Sequence, residues 1–334
     1  MRDEDIQELS EVIQSSNLNF LFGAGISTPF LPLLGDIEKS LNNAKTDSEK
    51  ETHYKFYYKD VMLPNKLLIK SKLFNNPKYN LTKISYQKFF QALSKSVLQR
   101  KTTILSKQVN LFTTNIDILM ENILETLQIE YNDGFSGQFN PVFSIANYKR
   151  SIYQRSLHFE HISEIPVFNI IKIHGSLSWK KDKNGDKIFF SRYLHHIDDN
   201  LLSKTGKEFI LGYKKILVVN PEERKHLESV LNVYYSELLR MYSSELEKEN
   251  ALLFVIGFSM NDRHIKEITL RAAKSNPTLR IFICCSKEER TNLIKNLETN
   301  NYKNIQILVP DGSSTYYTLN YFTKNILDKV TLKA

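Results

Sequence analysis

The stretch NFLFGAGIST, Asn19–Thr28, sets the first constraint on the fold. An apolar run, Phe20-Leu21-Phe22, meets Gly23-Ala24-Gly25 and then Ile26-Ser27-Thr28. Such a run reads as a buried strand, and the glycines as the tight turn that carries it into a helix. The spacing begins like the glycine turn of a dinucleotide-binding βαβ unit, but Thr28 stands where the third glycine would be. No acidic residue ends a second strand about 20 residues on, which speaks against a dehydrogenase that keeps its nicotinamide cofactor. Three readings stay open: a tight turn without ligand, a weakened cofactor loop, or a nucleotide loop of another family.

Outward from this stretch the pattern repeats. Leu18–Gly25 follows an amphipathic segment carrying Ile6, Leu9 and Ile13. Further apolar runs lie at Val109–Asn115, Phe168–Ser176, Lys215–Asn220, Ala251–Ser259, Arg280–Ser286 and Asn304–Pro310, most of them followed by helical periodicity. Alternating buried strands and helices predict an α/β fold, a parallel sheet with helices on both faces. Residues 42–107 carry no clear strand, and SYQKFFQALSKSVLQRK has helical spacing, so a helical insertion over the sheet edge is expected after the first strand. It divides the chain into a main domain of residues 1–41 and 108–334 and a small module at 42–107. Tyr131–Pro166 is polar, aromatic and too long for an ordinary connection, which suggests a lid or binding loop. KNGDK, Lys183–Lys187, reads as a hairpin turn.

With 334 residues, 41% hydrophobic and 25% charged, the chain can bury a large core without covalent staples. Only two cysteines occur, Cys284 and Cys285, so neither a disulfide framework nor a zinc set is expected. As strand neighbours they point to opposite faces. The amino terminus lacks a signal core and no run is long enough to span a membrane, so a cytoplasmic protein is expected. The net charge of +8 comes from scattered basic residues, with Ser144–Arg155 the nearest approach to a basic-aromatic nucleic-acid face.

In a doubly wound sheet, ligands bind beyond the carboxyl ends of the strands. The endings here are Gly23-Ala24-Gly25-Ile26-Ser27, Thr113-Thr114-Asn115-Ile116-Asp117, His174-Gly175-Ser176 and Gly257-Phe258-Ser259. Each changes abruptly from apolar to glycine or polar residues. The glycines could let phosphate oxygens approach backbone N–H groups, or simply turn the chain. Asn115 and Asp117 could cap the following helix or orient a ligand or water. His174 is placed for general-base work, its unperturbed pKa lying near neutrality. His195 and His196 have no metal-ligand spacing and read as surface residues. Ser259 or Asn261 could cap the helix that Asp262 opens, or touch a nucleotide.

Taken in order, these motifs resemble the sirtuin family, in particular its prokaryotic, defence-associated, NAD-consuming branch. Gly23-Ala24-Gly25-Ile26-Ser27, Thr114-Asn115-Ile116-Asp117, Lys172-Ile173-His174-Gly175-Ser176 and Gly257-Phe258-Ser259 with Asp262 and His264 carry the resemblance. YNDGFSG (Tyr131–Gly137) and HGSLSW (His174–Trp179) add to it, and it spans about Phe20 to Val309. The resemblance implies a Rossmann-like domain that binds NAD as a substrate. Gly23, Ala24, Gly25 and Ser27 would hold phosphates and ribose, with Thr114 beside them. Asn115 would position the nicotinamide ribose or the attacking water, and Asp117 would shape the nicotinamide pocket. His174 would be the base, and Gly257 and Ser259 would hold the adenine side. Protein-deacylating sirtuins carry a four-cysteine zinc module and an Asp-Phe-Arg segment after the serine. This chain has two cysteines and continues TPFLPLLGD, Thr28–Asp36. NAD hydrolysis to nicotinamide and ADP-ribose is therefore the expected activity, under control of a homo-oligomer or of a partner such as a ring ATPase/helicase or a nucleic-acid-guided sensor. Lysine deacylation and noncatalytic NAD or ADP-ribose sensing are the alternatives.

Overall fold

The structure is a computed structural model, describing residues 3–33, 40–41, 43–44, 46–100, 105–157, 160–182, 187–218, 229–312 and 314–333. The apolar run at Asn19 becomes strand β1, Asn17–Phe22, preceded by the helix Asp3–Ser15. That helix buries Ile6, Leu9 and Ile13, one stripe at helical spacing. The other strands are β2 Gln108–Thr113, β3 Tyr131–Asn132, β4 Phe135–Ser136, β5 Val142–Phe143, β6 Tyr153–Arg155, β7 Ile162–Glu164, β8 Val167–Lys172, β9 Trp179–Lys181, β10 Ile188–Phe190, β11 Ala251–Ile256, β12 Arg280–Cys284 and β13 Ile305–Leu308.

Seven of these form one sheet in the order β13-β12-β11-β1-β2-β8-β3. All its pairings are parallel. β8 and β11 are buried at every position, as strands covered on both faces must be. On one face Phe20, Phe22, Leu111, Ile170 and Phe254 pack with Phe89, Phe90 and Phe322. On the other, Leu21, Phe112, Ile171 and Val255 pack with Leu238, Tyr242 and Leu246 of the helix Ser229–Leu246 and with Ile265 of the helix Arg263–Ser275. Cys284 lies in the first layer and Cys285 in the second, both free and buried.

One row of the second face is polar. Asn19, Asn110, Asn169 and Asn132 are register partners across β1, β2, β8 and β3. The Asn110 amide donates to Asn19 Oδ1 at 2.9 Å and to Glu245 Oε2 at 2.9 Å. Asn169 donates to Asn110 Oδ1 at 2.9 Å, so Asn19, Asn110 and Asn169 are linked side chain to side chain, while the Asn132 amide donates to Asn147 O.

Two expectations about strands and loops change, and a third falls largely outside the described residues. Of the expected strand Lys215–Asn220, the described residues 215–218 do not join the main sheet, Val218 making an antiparallel bridge to Gly175, and residues 219–220 lie outside the described ones. The strand beside β8 is instead Tyr131–Asn132. Tyr131–Pro166 is not a loop, because it holds β3 to β7, with β4 and β5 joining β10 and β9 in a small antiparallel sheet. The expected turn at Lys183–Lys187 falls largely on residues outside the described ones, although β9 and β10 flank it as an antiparallel pair.

Residues 47–98 are helical. The helix Asp47–Tyr57 runs through a π-turn into Leu63–Ile69, and a separate helix spans Pro77–Leu98. Asn76 caps the latter by accepting from Tyr79 N–H at 3.0 Å, with Pro77 at its first turn. Tyr86, Phe89, Phe90, Leu93 and Val97 form its buried stripe. Phe89 meets Phe20 and Phe22 edge-on at 5.5 and 5.6 Å, so this helix lies on the face of the main sheet, not over its edge.

Candidate functional site

The register fixes which strand endings are neighbours. Ile256 pairs with Phe22, Phe22 with Thr113, and Thr113 with Lys172. The residues just beyond therefore form one row across β11, β1, β2 and β8: Gly257, Gly23, Thr114-Asn115 and His174. Side chains scattered over the whole sequence are gathered at one edge of the sheet.

At β1 and β11 the two turns interlock. Gly23 N–H donates to Ile256 O at 3.2 Å and Gly25 N–H to Gly257 O at 3.0 Å. A Cβ on Gly23 would lie 2.5 Å from Gly257 O, and one on Gly25 2.7 Å from Gly257 Cα. Gly257 has φ +64°, and its Cβ would come within 2.7 Å of Ile26 N. These glycines answer first to each other, and the N–H groups of Gly23 and Gly25 are spent inside the protein. The close-packing glycine missing at Thr28 is supplied from another strand by Gly257. Thr28 instead donates its hydroxyl to Gly25 O at 2.8 Å. Ala24 is half-buried, with no hydrogen bond to its N–H among the described residues.

Ser27, Asn115 and Asp117 meet below this turn, all at most 5% exposed. The Ser27 hydroxyl donates to Asp117 Oδ2 at 3.1 Å, and the Asn115 amide donates to Gly23 O at 3.1 Å and to Ser27 Oγ at 3.2 Å. Asp117 Oδ1 accepts from Leu119 N–H at 3.1 Å, tying the group to the start of the helix Leu119–Leu127. Thr114 is half-buried, its N–H bonded to Phe22 O at 3.1 Å. Beneath Asp117 lies a buried ion pair, Lys172 Nζ to Glu121 Oε1 at 3.1 Å, and the same ammonium donates to the Asp117 carbonyl. Burial pushes the Glu121 carboxyl up, with Lys172 opposing, and Glu121 Oε2 has no partner.

His174 is bonded through Nε2 to Asp262 Oδ2 at 3.1 Å. A carboxylate only accepts, so Nε2 carries the proton and Nδ1 of a neutral ring holds the lone pair. Burial pushes the Asp262 carboxyl up, but the hydrogen bond and charge of His174 outweigh it and hold it below its ordinary 3.8. Asp262 follows β11, three strands from β8 across the row, so this bond passes over the ends of the two strands between, β1 and β2. Its other oxygen caps the helix Arg263–Ser275 through Ile265 N–H at 3.0 Å. Ser259 and Asn261 are exposed and do not make that cap.

The structure therefore brings Gly23, Ala24, Gly25, Ser27, Thr114, Asn115, Asp117, His174 and Gly257 to one edge, with Ser259 at its outer rim. His195 is exposed, but His196 is half-buried, its Nδ1 3.1 Å from Ser191 Oγ. Sequence reasoning missed Asp262 as the partner of His174, Tyr86 beside Ser27, and the Lys172–Glu121 pair. The one local sign of the last was a lysine inside the apolar run FNIIKIHG. Open grooves of about 450 and 580 Å³ lie elsewhere, beside Arg271 and beside Tyr234, and include none of the strand-end residues. Among the described residues no cluster of His, Cys, Asp or Glu could hold a metal ion, and no helix is long and apolar enough to cross a membrane.

Among curated proteins none matches the sequence. A solved structure from "Structural Basis for the Mechanism and Regulation of Sir2 Enzymes" aligns at 13% identity over 99% of each chain, with a TM-score of 0.47. Another, a Sir2 histidine-to-tyrosine mutant with p53 peptide and NAD, aligns at 13% identity over 99% of this chain and 100% of that one, with a TM-score of 0.44. The family model described as the SIR2-like domain matches residues 109–308, from β2 to β13 and well over half of the chain, which therefore belongs to the SIR2-like domain family.

Proposed function

We propose that the protein hydrolyses NAD at its nicotinamide–ribose bond, releasing nicotinamide and ADP-ribose. The observation that carries this reading is the row of neighbouring strand ends, in which an oriented histidine stands beside a fixed carboxamide. In this reaction the C–N bond breaks with its electron pair passing to the cationic nicotinamide, which needs no general acid. Ribose C1′ develops oxocarbenium character, as in other glycosidic cleavages. Water adds its oxygen to C1′, and its proton passes to the lone-pair nitrogen of His174. Asp262 holds the ring in the required tautomer, as a third group orients the base in other nucleophile–base pairs. Asn115 orients the ribose or the water, and Asp117 shapes the nicotinamide end. The β1 turn acts as a wall more than as a donor cradle, with Ala24 N–H its unspent donor. Gly257 and Ser259 line the adenine side.

In this reading the chain is an antiphage-defence effector that depletes NAD once a homo-oligomer forms or a partner binds, such as a ring ATPase/helicase or a nucleic-acid-guided sensor. Residues 42–107 are taken as an insertion into a domain made of 1–41 and 108–334. Neither zinc nor an acylated peptide enters the reaction.

The test is chromatographic quantification of nicotinamide and ADP-ribose released from NAD, with the protein alone and in its assembled state. Wild type is expected to release both in equal amounts, and His174→Ala or Asn115→Ala to lower kcat at least about 100-fold. NAD left intact by the assembled wild type would sink the proposal. Consumption only with an acylated peptide would replace it by deacylation, and binding without turnover would replace it by sensing.

A further inference from the structure

The helix Pro77–Leu98 belongs to none of the motifs that pointed to the site, yet it delivers one polar atom there. Tyr86 lies between apolar positions of its buried stripe and is 1% exposed. Its hydroxyl is 3.0 Å from Ser27 Oγ.

Every hydrogen in this cluster can be assigned from chemistry alone. Gly23 O is a carbonyl, so the Asn115 atom facing it is the amide nitrogen, and the side chain cannot be flipped. The same nitrogen donates to Ser27 Oγ. Asp117 Oδ2 accepts from Ser27, which uses the single hydrogen of that hydroxyl. Tyr86 must then donate to Ser27 Oγ, since the reverse would strand the phenol hydrogen and leave Asp117 Oδ2 without its donor. Burial and the Asp117 charge push the Tyr86 phenol well above its ordinary 10, which keeps that hydrogen in place. Ser27 Oγ thus accepts twice and donates once, and is saturated. Both Asn115 amide hydrogens are engaged, and Oδ1 has no partner among the described residues.

We infer that Tyr86 is a positioning residue: acting through Ser27, it fixes the Asn115 carboxamide so that its acceptor oxygen is the pole offered to the ligand. Asn115 then selects a ligand group that donates, a hydroxyl or a water, and rejects one that only accepts. The helical segment thereby becomes part of the site without touching the substrate. The kinetic test rests on the NAD-hydrolysis reading, whereas the spectroscopic test does not.

Tyr86→Phe removes one oxygen and keeps the ring. Tyr242→Phe is its control, because Tyr242 is equally buried and bonds Thr269 Oγ1 at 2.8 Å on the other face of the sheet. Both variants are expected to lose similar thermal stability. Tyr86→Phe should lower kcat for nicotinamide release about tenfold or more, with KM within about threefold, since misplacing a catalytic group acts on kcat. Tyr242→Phe should leave kcat unchanged. If Tyr86→Phe follows Tyr242→Phe in kcat, the inference is overturned. Independently, NMR can follow hydrogen exchange of the Asn115 side-chain amide, identified by its absence in Asn115→Asp. Exchange should be slow in wild type and about tenfold faster in Tyr86→Phe. If wild type releases no nicotinamide, the NAD reading falls and exchange alone decides: acceleration upholds the role of Tyr86, and unchanged exchange overturns it.

Discussion

His196 shows what burial does to a single side chain. Burial, aided by the charge of Lys180, lowers its ring to about 4 from the ordinary 6.5. The unfolded chain takes up a proton at 6.5 that the folded protein refuses until about 4, so unfolding binds a proton in that window. The stability held at this position is present above 6.5 and is lost as pH falls toward 4. His196→Gln removes the titration. In thermal melts across this window the variant should show a shallower fall of Tm than wild type, and equal slopes would count against the assignment. The sequence placed His196 at the surface because a His-His pair without metal spacing carries no local sign of burial. The same limit hid the partners at the site. His174 and Asp262 are 88 residues apart, and Ser27 and Tyr86 are 59 apart. His174 and Asn115 were legible because they end apolar strands, a local feature.

At the scale of elements, β8 and the helix Leu119–Leu127 are joined by Lys172 and Glu121, whose side chains are 4% and 11% exposed. Breaking such a pair leaves a buried charge without compensation. Lys172→Met should therefore cost about 3–5 kcal/mol in urea unfolding, while Lys172→Met with Glu121→Leu should recover most of it. Additive losses would show that the two side chains are not coupled. Strands of five or six residues, β1, β2, β8, β11 and β12, were readable because each holds a cluster of three or more large apolar residues. Lys215–Asn220 has a similar composition, but its described residues, 215–218, find no parallel neighbour, because composition does not specify a pairing partner. The elements between Tyr131 and Glu164 escaped for the opposite reason: strands of two or three residues are too short to display a period.

For the whole molecule, the question is whether the helices of residues 47–98 melt with the sheet. Phe89 touches Phe20, Phe22 and Phe322, with its ring 5.5 to 6.3 Å from theirs. Phe89→Ala should cost about 3–5 kcal/mol, the usual cost of truncating a buried phenylalanine. The single tryptophan, Trp179, lies in the other apolar cluster and reports on the far side of the sheet. Its fluorescence and the far-UV circular dichroism should shift together in Phe89→Ala, as in one cooperative unit. Separate transitions would mark the helical segment as an independent body.

The asparagine row beside Glu245 bears on how the strands find one another. Side chains alternate across a sheet, so a slip of β2 by one residue would turn Asn110 into the layer of Phe20 and Ile170. Its amide would have no mate there, and burying an unpaired amide costs about 1–3 kcal/mol. Apolar runs pack almost equally well at several offsets, whereas linked carboxamides fit at one. The row thus favours the native register over a slipped one. In that register β2 offers the Asn110 amide to Glu245, so the contact with the helix Ser229–Leu246 and the neighbouring placement of Asn115 and His174 at the strand ends depend on the same alignment.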